Sequence, residues 1–428
     1  MKVHFKNARI LNPGQEFSES LGEVVTEGGV IRYVGPAAPR ELTAGARTLD
    51  LQGNLLMPGL VNAHAHSAMT LFRGLGGDLP LERWLYDRIF PLEDKLTPED
   101  VYAGTLLACL EYLSSGITSV GDMYFFPEAL FQAYDEAGLR VKYVMACSDP
   151  DGDTDRELRN LEERYAAFKD KTPLFSCLLG AHAEYTCSEA LLTGIADFAV
   201  LHREPTYIHL SETLKEVGDC TVRHSGLTPP QYLHKLGFFE HGGTAAHVVH
   251  ADKDDLDLLK QCGVNVAHNP SSNLKLGSGI APVYAMLDRG LCVALGTDGA
   301  ASNDRLDLFR EMYLMAVLQK GAMYDAGAVT AEEAVRAATV QGAKALYLEK
   351  VGKVEEGWAA DLIVVDLDRP HWKPLNDLTA ELVYAAKSSD VILTMVGGEI
   401  LYENGAFPRL DPQKIFDLCQ KSINRLRG

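Results

Sequence analysis

The chain has 428 residues, 46% hydrophobic, 23% charged and 8% aromatic, a composition that can bury a large core and excludes a disordered or fibrous protein. Its 40 Lys and Arg stand against 59 Asp and Glu, a formal net charge of −19 that repels phosphate backbones and anionic lipid and so argues against nucleic acid and membrane as partners. The first residues, MKVHFKNARILNPG, hold no continuous apolar stretch, and no later run approaches the roughly 18 residues of a membrane span. The eight cysteines are scattered without a CxxC pair, which predicts reduced thiols and a cytoplasmic protein.

Residues 1–53 contain short alternating runs, VHFKNARIL, EVVTEGGVIRYVG and RTLDLQGN, with Gly-rich turns and no helical period. Eight β-branched runs follow, each ending in polar or Gly-rich turns: LLMPGLVNAHAH, ITSVGDMYF, RVKYVMACSD, LFSCLLGAHAEY, PTYIHLSE, GTAAHVVHAD, VNVAHNPSSN and VALGTDG. Segments of helical spacing such as PEDVYAGTLLACLEYLSSG and DKDDLDLLKQCG separate most of them. Strand and helix alternating eight times, with strands apolar on both faces, predicts an α/β fold in which a parallel sheet closes into a (β/α)8 barrel over residues 54–350. A doubly wound open sheet is the alternative, but no GxGxxG follows the first strand. From residue 351 the short strands resume in ADLIVVDLD and VILTMVGGEILYENG and give way to a helical tail, PQKIFDLCQKSINRLR. Residues 1–53 and 351–428 are therefore expected to build one small β-sandwich beside the barrel, with a C-terminal helix.

Barrel enzymes carry their chemistry at the C-terminal ends of the strands, and most of these runs end in a titratable residue. The first ends in His64-Ala65-His66, whose imidazoles share one strand face. The fifth supplies His209, the sixth His247 and His250, and the eighth Asp298. Three neutral imidazoles and a carboxylate with an open position suit Zn²⁺ or another borderline divalent ion. An isolated HxH also arises by chance as a pair of polar strand-end residues. Glu212, three residues after His209, could carry protons beside such an ion, or could be a helix-start residue placed by the helix dipole. Trp84 and Phe90, after the first strand, could wall an apolar base pocket or pack in a core, and His268 at the end of the seventh run could line a pocket or serve a turn.

The runs PGLVNAHAHSAMTLFRG, HLSE, AHVVHAD, HNPSSNLKLGSGIAP and LGTDGAASN resemble the amidohydrolase superfamily, in particular its cytosine deaminase-like branch and the 5-methylthioadenosine/S-adenosylhomocysteine deaminases within it. The resemblance covers nearly the whole chain and implies that His64, His66, His209 and Asp298 bind one divalent ion, Zn²⁺ first, with Fe²⁺ or Mn²⁺ as alternatives. It implies that Glu212 protonates a purine ring, that His247 orients the attacking water, and that Asp298 shuttles a proton. Glu93 then matches the family's carboxylate to the ribose hydroxyls and His182 a residue that contacts the nucleoside. A lysine in place of His182 would bridge two metals, so its identity implies one. Arg156, or Arg159 if the loop register differs, falls near an arginine used on the substrate's far end. Met145 stands where some members carry a second arginine and is read as an apolar wall, which predicts a preference for uncharged 5′ groups.

The implied activity is hydrolytic deamination of a 6-aminopurine nucleoside (5′-methylthioadenosine, S-adenosylhomocysteine, 5′-deoxyadenosine or adenosine) to the 6-oxo product and ammonia. Alternatives are a deaminase or chlorohydrolase of guanine, cytosine, a pterin or a triazine, or an inactive metal-binding regulatory protein. The last would be free to lose Glu212, which is present. The expected partner is a small nucleoside, and self-association into a homo-oligomer is left open.

Overall fold

The computed structural model describes residues 1–14, 16–75 and 77–427. Eight parallel strands lie side by side in chain order. They are β1 (Leu60–Ala65), β2 (Ile117–Asp122), β3 (Arg140–Cys147), β4 (Phe175–Ala183), β5 (Thr206–Leu210), β6 (Gly243–His247), β7 (Val264–His268) and β8 (Val293–Leu295). The barrel closes where β8 returns to β1: the Asp298 N–H donates to the His64 carbonyl (2.9 Å) and the Thr297 N–H to Asn62 Oδ1 (2.9 Å). The seam therefore lies among the strand-end residues singled out above.

Alternate residues of each strand face in opposite directions, so burial on both sides requires apolar residues throughout. Val61, Ala63, Val144, Leu178, Tyr207 and Ala246 fill the lumen. Leu60, Met145, Leu179, Ile208 and Val266 pack outward against the helices. The helix Pro98–Ser114 shows how the sequence starts such an element: Thr97 and Asp100 form a capping box, with Pro98 at the first helical position.

The chain ends form a second eight-stranded sheet. Strand Lys2–Asn12 pairs antiparallel with Ser18–Glu27 and parallel with both Arg47–Asp50 and Leu55–Pro58. Leu362–Val365 pairs with Leu55–Pro58, so strands from the two ends of the chain are direct neighbours. Val24 and Ile31 from one side of this sheet share a buried cluster with Met395 and Ile400 from the other, so the sheet folds over its own core.

Two boundaries differ from expectation. The run LLMPGLVNAHAH is two strands: Leu55–Pro58 belongs to the end sheet and only Leu60–Ala65 enters the barrel. The break falls at Gly59, where a Cβ would lie 2.1 Å from the Thr118 side chain. The C-terminal helix Pro412–Arg427 lies on the barrel, where Arg425 pairs with Asp100 and the Cys419 thiol meets the Ala103 carbonyl at 3.3 Å. The buried face of this amphipathic tail, Ile415, Cys419 and Leu426, joins the same hydrophobic cluster as the barrel helices. Among the described residues no helix is long and apolar enough to cross a membrane.

Candidate active site

Strand alternation turns His64 and His66 to the same side at the end of β1, His209 reaches in from β5, and Asp298 follows β8 in a left-handed backbone conformation (φ 59°). Their ligand atoms form a compact group. His209 Nε2 lies 3.2 Å from His64 Nε2 and 3.3 Å from His66 Nε2. Asp298 Oδ1 lies 3.6 Å from His64 Nε2 and 3.2 Å from His66 Nε2. A tetrahedron of N and O ligands about 2.0–2.1 Å from one ion has edges of roughly 3.3–3.4 Å.

The other ring nitrogens determine what these atoms carry. The Nδ1–H of His66 donates to the Met123 carbonyl (2.6 Å) and that of His209 to the His182 carbonyl (2.7 Å). The Tyr207 hydroxyl donates to the Ala63 carbonyl (2.8 Å), so its oxygen accepts from His64 Nδ1–H at 3.2 Å. In neutral imidazoles each Nε2 is then a lone pair, and three lone pairs and a carboxylate oxygen face one point. Such a group demands positive charge. Left to itself it would take a proton: burial opposes this, yet the hydrogen bond and charge of Asp298 push His66 up to about 9. A cation meets the same demand, so the donor set fits a divalent metal.

Two further groups border this cluster. His247 (φ 74°) donates Nδ1–H to Asn273 Oδ1 at 2.8 Å, leaving Nε2 as an acceptor 3.8 Å from Glu212 Oε2. Glu212 is buried and accepts the Ser278 hydroxyl at 3.2 Å. Burial raises its pKa, and the Asp298 charge adds to this against the opposing His247. Asp298 behaves oppositely: despite burial, His64 and His66 hold it well below the usual carboxylate range, while Ser272 (2.5 Å) and Ser302 (3.0 Å) donate to its Oδ2. The two neighbouring carboxyls are thus shifted in opposite directions, the kind of separation from which an acid and a base can be assigned.

His66, His209, Asp298, His247 and Glu212 line a cavity of about 390 Å³, with His64 buried behind them. Leu81, Trp84, Leu85 and Phe90 form an apolar wall, supplied by short helical turns over residues 81–93. Trp84 Nε1 is buried without a hydrogen-bond partner. Glu93 accepts the Tyr124 hydroxyl at 2.8 Å, and burial pushes it up to about 6 against that bond. His182 is neutral, pushed down to about 4 by burial; its Nδ1–H donates to Thr186 Oγ1 (3.0 Å), so Nε2 is an acceptor. Among the described residues no Lys or Arg lines this cavity.

Three expected contacts lie elsewhere. Arg156 is exposed on a helix start and paired with Asp151 (2.6 Å) and Asp153 (3.5 Å), and Arg159 is exposed one turn further on, so neither lines the cavity. Met145 faces the surrounding helices; its neighbour Ala146 faces the cavity, because strand alternation gives that side to even positions of β3. His268 is buried outside the cavity wall with neither ring nitrogen bonded. Tyr124, Asn273 and Ser278, which hydrogen-bond Glu93, His247 and Glu212, do not stand out in the sequence. Tyr124 is the next-to-last residue of the second run, and its place just past the strand end was the available signal.

The chain matches the amidohydrolase family over residues 55–401 and belongs to that family. It is 39% identical over 413 residues to the 5′-deoxyadenosine deaminase of Methanocaldococcus jannaschii, covering 95% of this chain and 97% of that protein. It is 46% identical over 391 residues to the 5-methylthioadenosine/S-adenosylhomocysteine deaminase of Syntrophobacter fumaroxidans, covering 90% and 88%. Among solved structures, an adenosine deaminase from Xanthomonas campestris with bound zinc superposes with a TM-score of 0.92 at 32% identity, over 99% of this chain and 98% of that one.

Proposed function

We propose that the protein is a metal-dependent hydrolase that deaminates 6-aminopurine nucleosides to their 6-oxo products, releasing ammonia. The observation that carries this reading is the geometry of the ligand group, with His209 Nε2 3.2 Å from His64 Nε2, Asp298 Oδ1 3.2 Å from His66 Nε2, and the Glu212 carboxyl beside it, 3.8 Å from His247 Nε2. The names of the relatives support the same chemistry. His64, His66, His209 and Asp298 would hold one divalent ion, Zn²⁺ first by its donor set and by the zinc in the Xanthomonas relative. The ion's contribution, when bound, is to acidify a water so that it attacks near neutral pH.

Glu212 delivers its proton to N1 of the purine, which makes C6 electrophilic. His247 accepts a hydrogen bond from the attacking water through Nε2 and orients it. Asp298 takes one proton of that water as the C–O bond forms and passes it to the exocyclic nitrogen, so that the C–N bond breaks with ammonia leaving. Glu212 recovers its proton from the new hydroxyl as the 6-oxo group forms, and the cycle closes with no net proton. Glu93 receives the ribose diol, and His182 Nε2 accepts a further donor of the nucleoside. A cytoplasmic setting agrees with eight unpaired thiols.

A cavity lined by no Lys or Arg among the described residues favours an uncharged 5′ group, since a buried α-carboxylate needs charge-assisted partners. Side-by-side ammonia release tests both the activity and the preference. Adenosine, 5′-deoxyadenosine and 5′-methylthioadenosine are expected to exceed S-adenosylhomocysteine in kcat/KM, with free adenine poor. Preference for S-adenosylhomocysteine would refute the 5′ argument, and turnover confined to guanine or cytosine would refute the nucleoside reading.

A further inference from the structure

The loop between β5 and the helix Leu214–Arg223 must hold Glu212 in one place, yet it contains a strained residue. Ser211 has φ 51°, a conformation a non-glycine residue keeps only where its surroundings enforce it. The enforcement comes from both sides. On one side the Ser211 carbonyl accepts the N–H of Val249 (3.0 Å) and of His250 (2.9 Å), which ties this loop to the one carrying His247. On the other side stands Glu216.

Glu216 is the third residue of that helix, whose N-cap is Thr213. A glutamate there ordinarily reaches back to the N-cap amide. Here it reaches further, because the left-handed turn at Ser211 points two successive amides the same way. Glu216 Oε1 accepts the Ser211 N–H at 2.6 Å and Oε2 accepts the Glu212 N–H at 2.7 Å. The residue is 7% exposed and borders a second cavity of about 430 Å³, which shares Leu81, Leu85, Tyr86, Tyr185 and Leu276 with the lining of the first. None of the chemistry described above uses it.

We propose that Glu216 is a positioning residue for the deamination step: its carboxylate clamps the Ser211 and Glu212 amides and so sets the Glu212 carboxyl against the reacting ring nitrogen. The inference rests on the reading of Glu212 as the proton carrier. Its effect falls on kcat rather than on KM or the metal, because the ribose contacts and three of the four ligands lie on other elements. Glu216→Gln keeps the volume but places an amide donor against one of the two N–H groups. Glu216→Ala opens the second cavity to a small carboxylate that can take the vacated place.

The test uses metal-loaded full-length protein. Glu216→Gln is expected to lower kcat about 10- to 100-fold, with KM within about threefold and metal content unchanged. Formate should raise the kcat of Glu216→Ala by at least about fivefold without affecting the parent protein. The double variant Glu212→Gln/Glu216→Gln should be no slower than Glu212→Gln alone, since a residue that acts through another has nothing left to position. Parent-like kcat in Glu216→Gln, loss of metal in step with activity, or multiplicative loss in the double variant would each overturn the proposal. If Glu216→Ala fails to fold, Glu216→Gln and the double variant decide alone. Normal turnover in Glu212→Gln would instead remove the reading of Glu212 itself, so the two failures are told apart.

Discussion

Glu93 offers the sharpest test of how the nucleoside is held. Its Oε1 already accepts the Tyr124 hydroxyl at 2.8 Å, which fixes the carboxylate and leaves its remaining lone pairs for the two hydroxyls of a ribose diol. Glu93→Gln retains one oxygen acceptor and replaces the other with a donor, so one charge-assisted hydrogen bond is lost. At about 1.5–3 kcal/mol for such a bond, kcat/KM for a ribonucleoside should fall roughly 10- to 150-fold. The same variant should change kcat/KM for a 2′,3′-dideoxy nucleoside by less than about threefold, because that substrate makes neither bond. Tyr124→Phe, which frees the carboxylate without removing it, should lie between, at about fivefold. The assay is initial-rate ammonia release across both substrates and all three proteins. Equal losses on the ribose and dideoxy substrates would show that Glu93 shapes the pocket rather than binding the diol.

The ligand group predicts that His209→Ala or Asp298→Ala loses both metal and activity; full turnover in protein stripped of metal, checked by elemental analysis, would contradict it. Glu212→Gln and His247→Asn should retain metal while turnover drops at least about a hundredfold and about tenfold respectively, and loss of metal from His247→Asn would move that side chain among the ligands. Burial pushes Glu93 up to about 6, so a Glu93 carboxylate that holds the diol would do so above that pH and lose the interaction as pH falls through it. At pH 5 kcat/KM for a ribonucleoside should therefore be about tenfold below its plateau from this group alone, a limb absent for the dideoxy substrate.

Much of the fold was legible because both of its periodicities are local. Eight apolar runs that leave no polar face can only be strands covered on both sides, and each of the eight contains one barrel strand. The ligand candidates were legible for the same reason: strand ends are visible in sequence, and a His-x-His at a strand end places both rings on one face. The run LLMPGLVNAHAH misled because the break between sheets is made by a single residue, Gly59, whose need for a missing Cβ comes from Thr118, 59 positions away.

What the sequence determined by itself, then, is which residues alternate, which end a strand and which types of donor stand there. Tertiary structure decided everything that depends on distance or burial. It turned Ala146 rather than Met145 to the cavity and paired Arg156 with its own loop. It also joined β8 to β1 so that Asp298 meets His64 and His66, residues more than 230 positions apart in the chain. The opposite pKa shifts of the two carboxyls are likewise its product. Glu212 and Asp298 are both carboxylic acids, and what separates them is the desolvation of one and the imidazoles packed around the other, which no reading of neighbours along the chain contains.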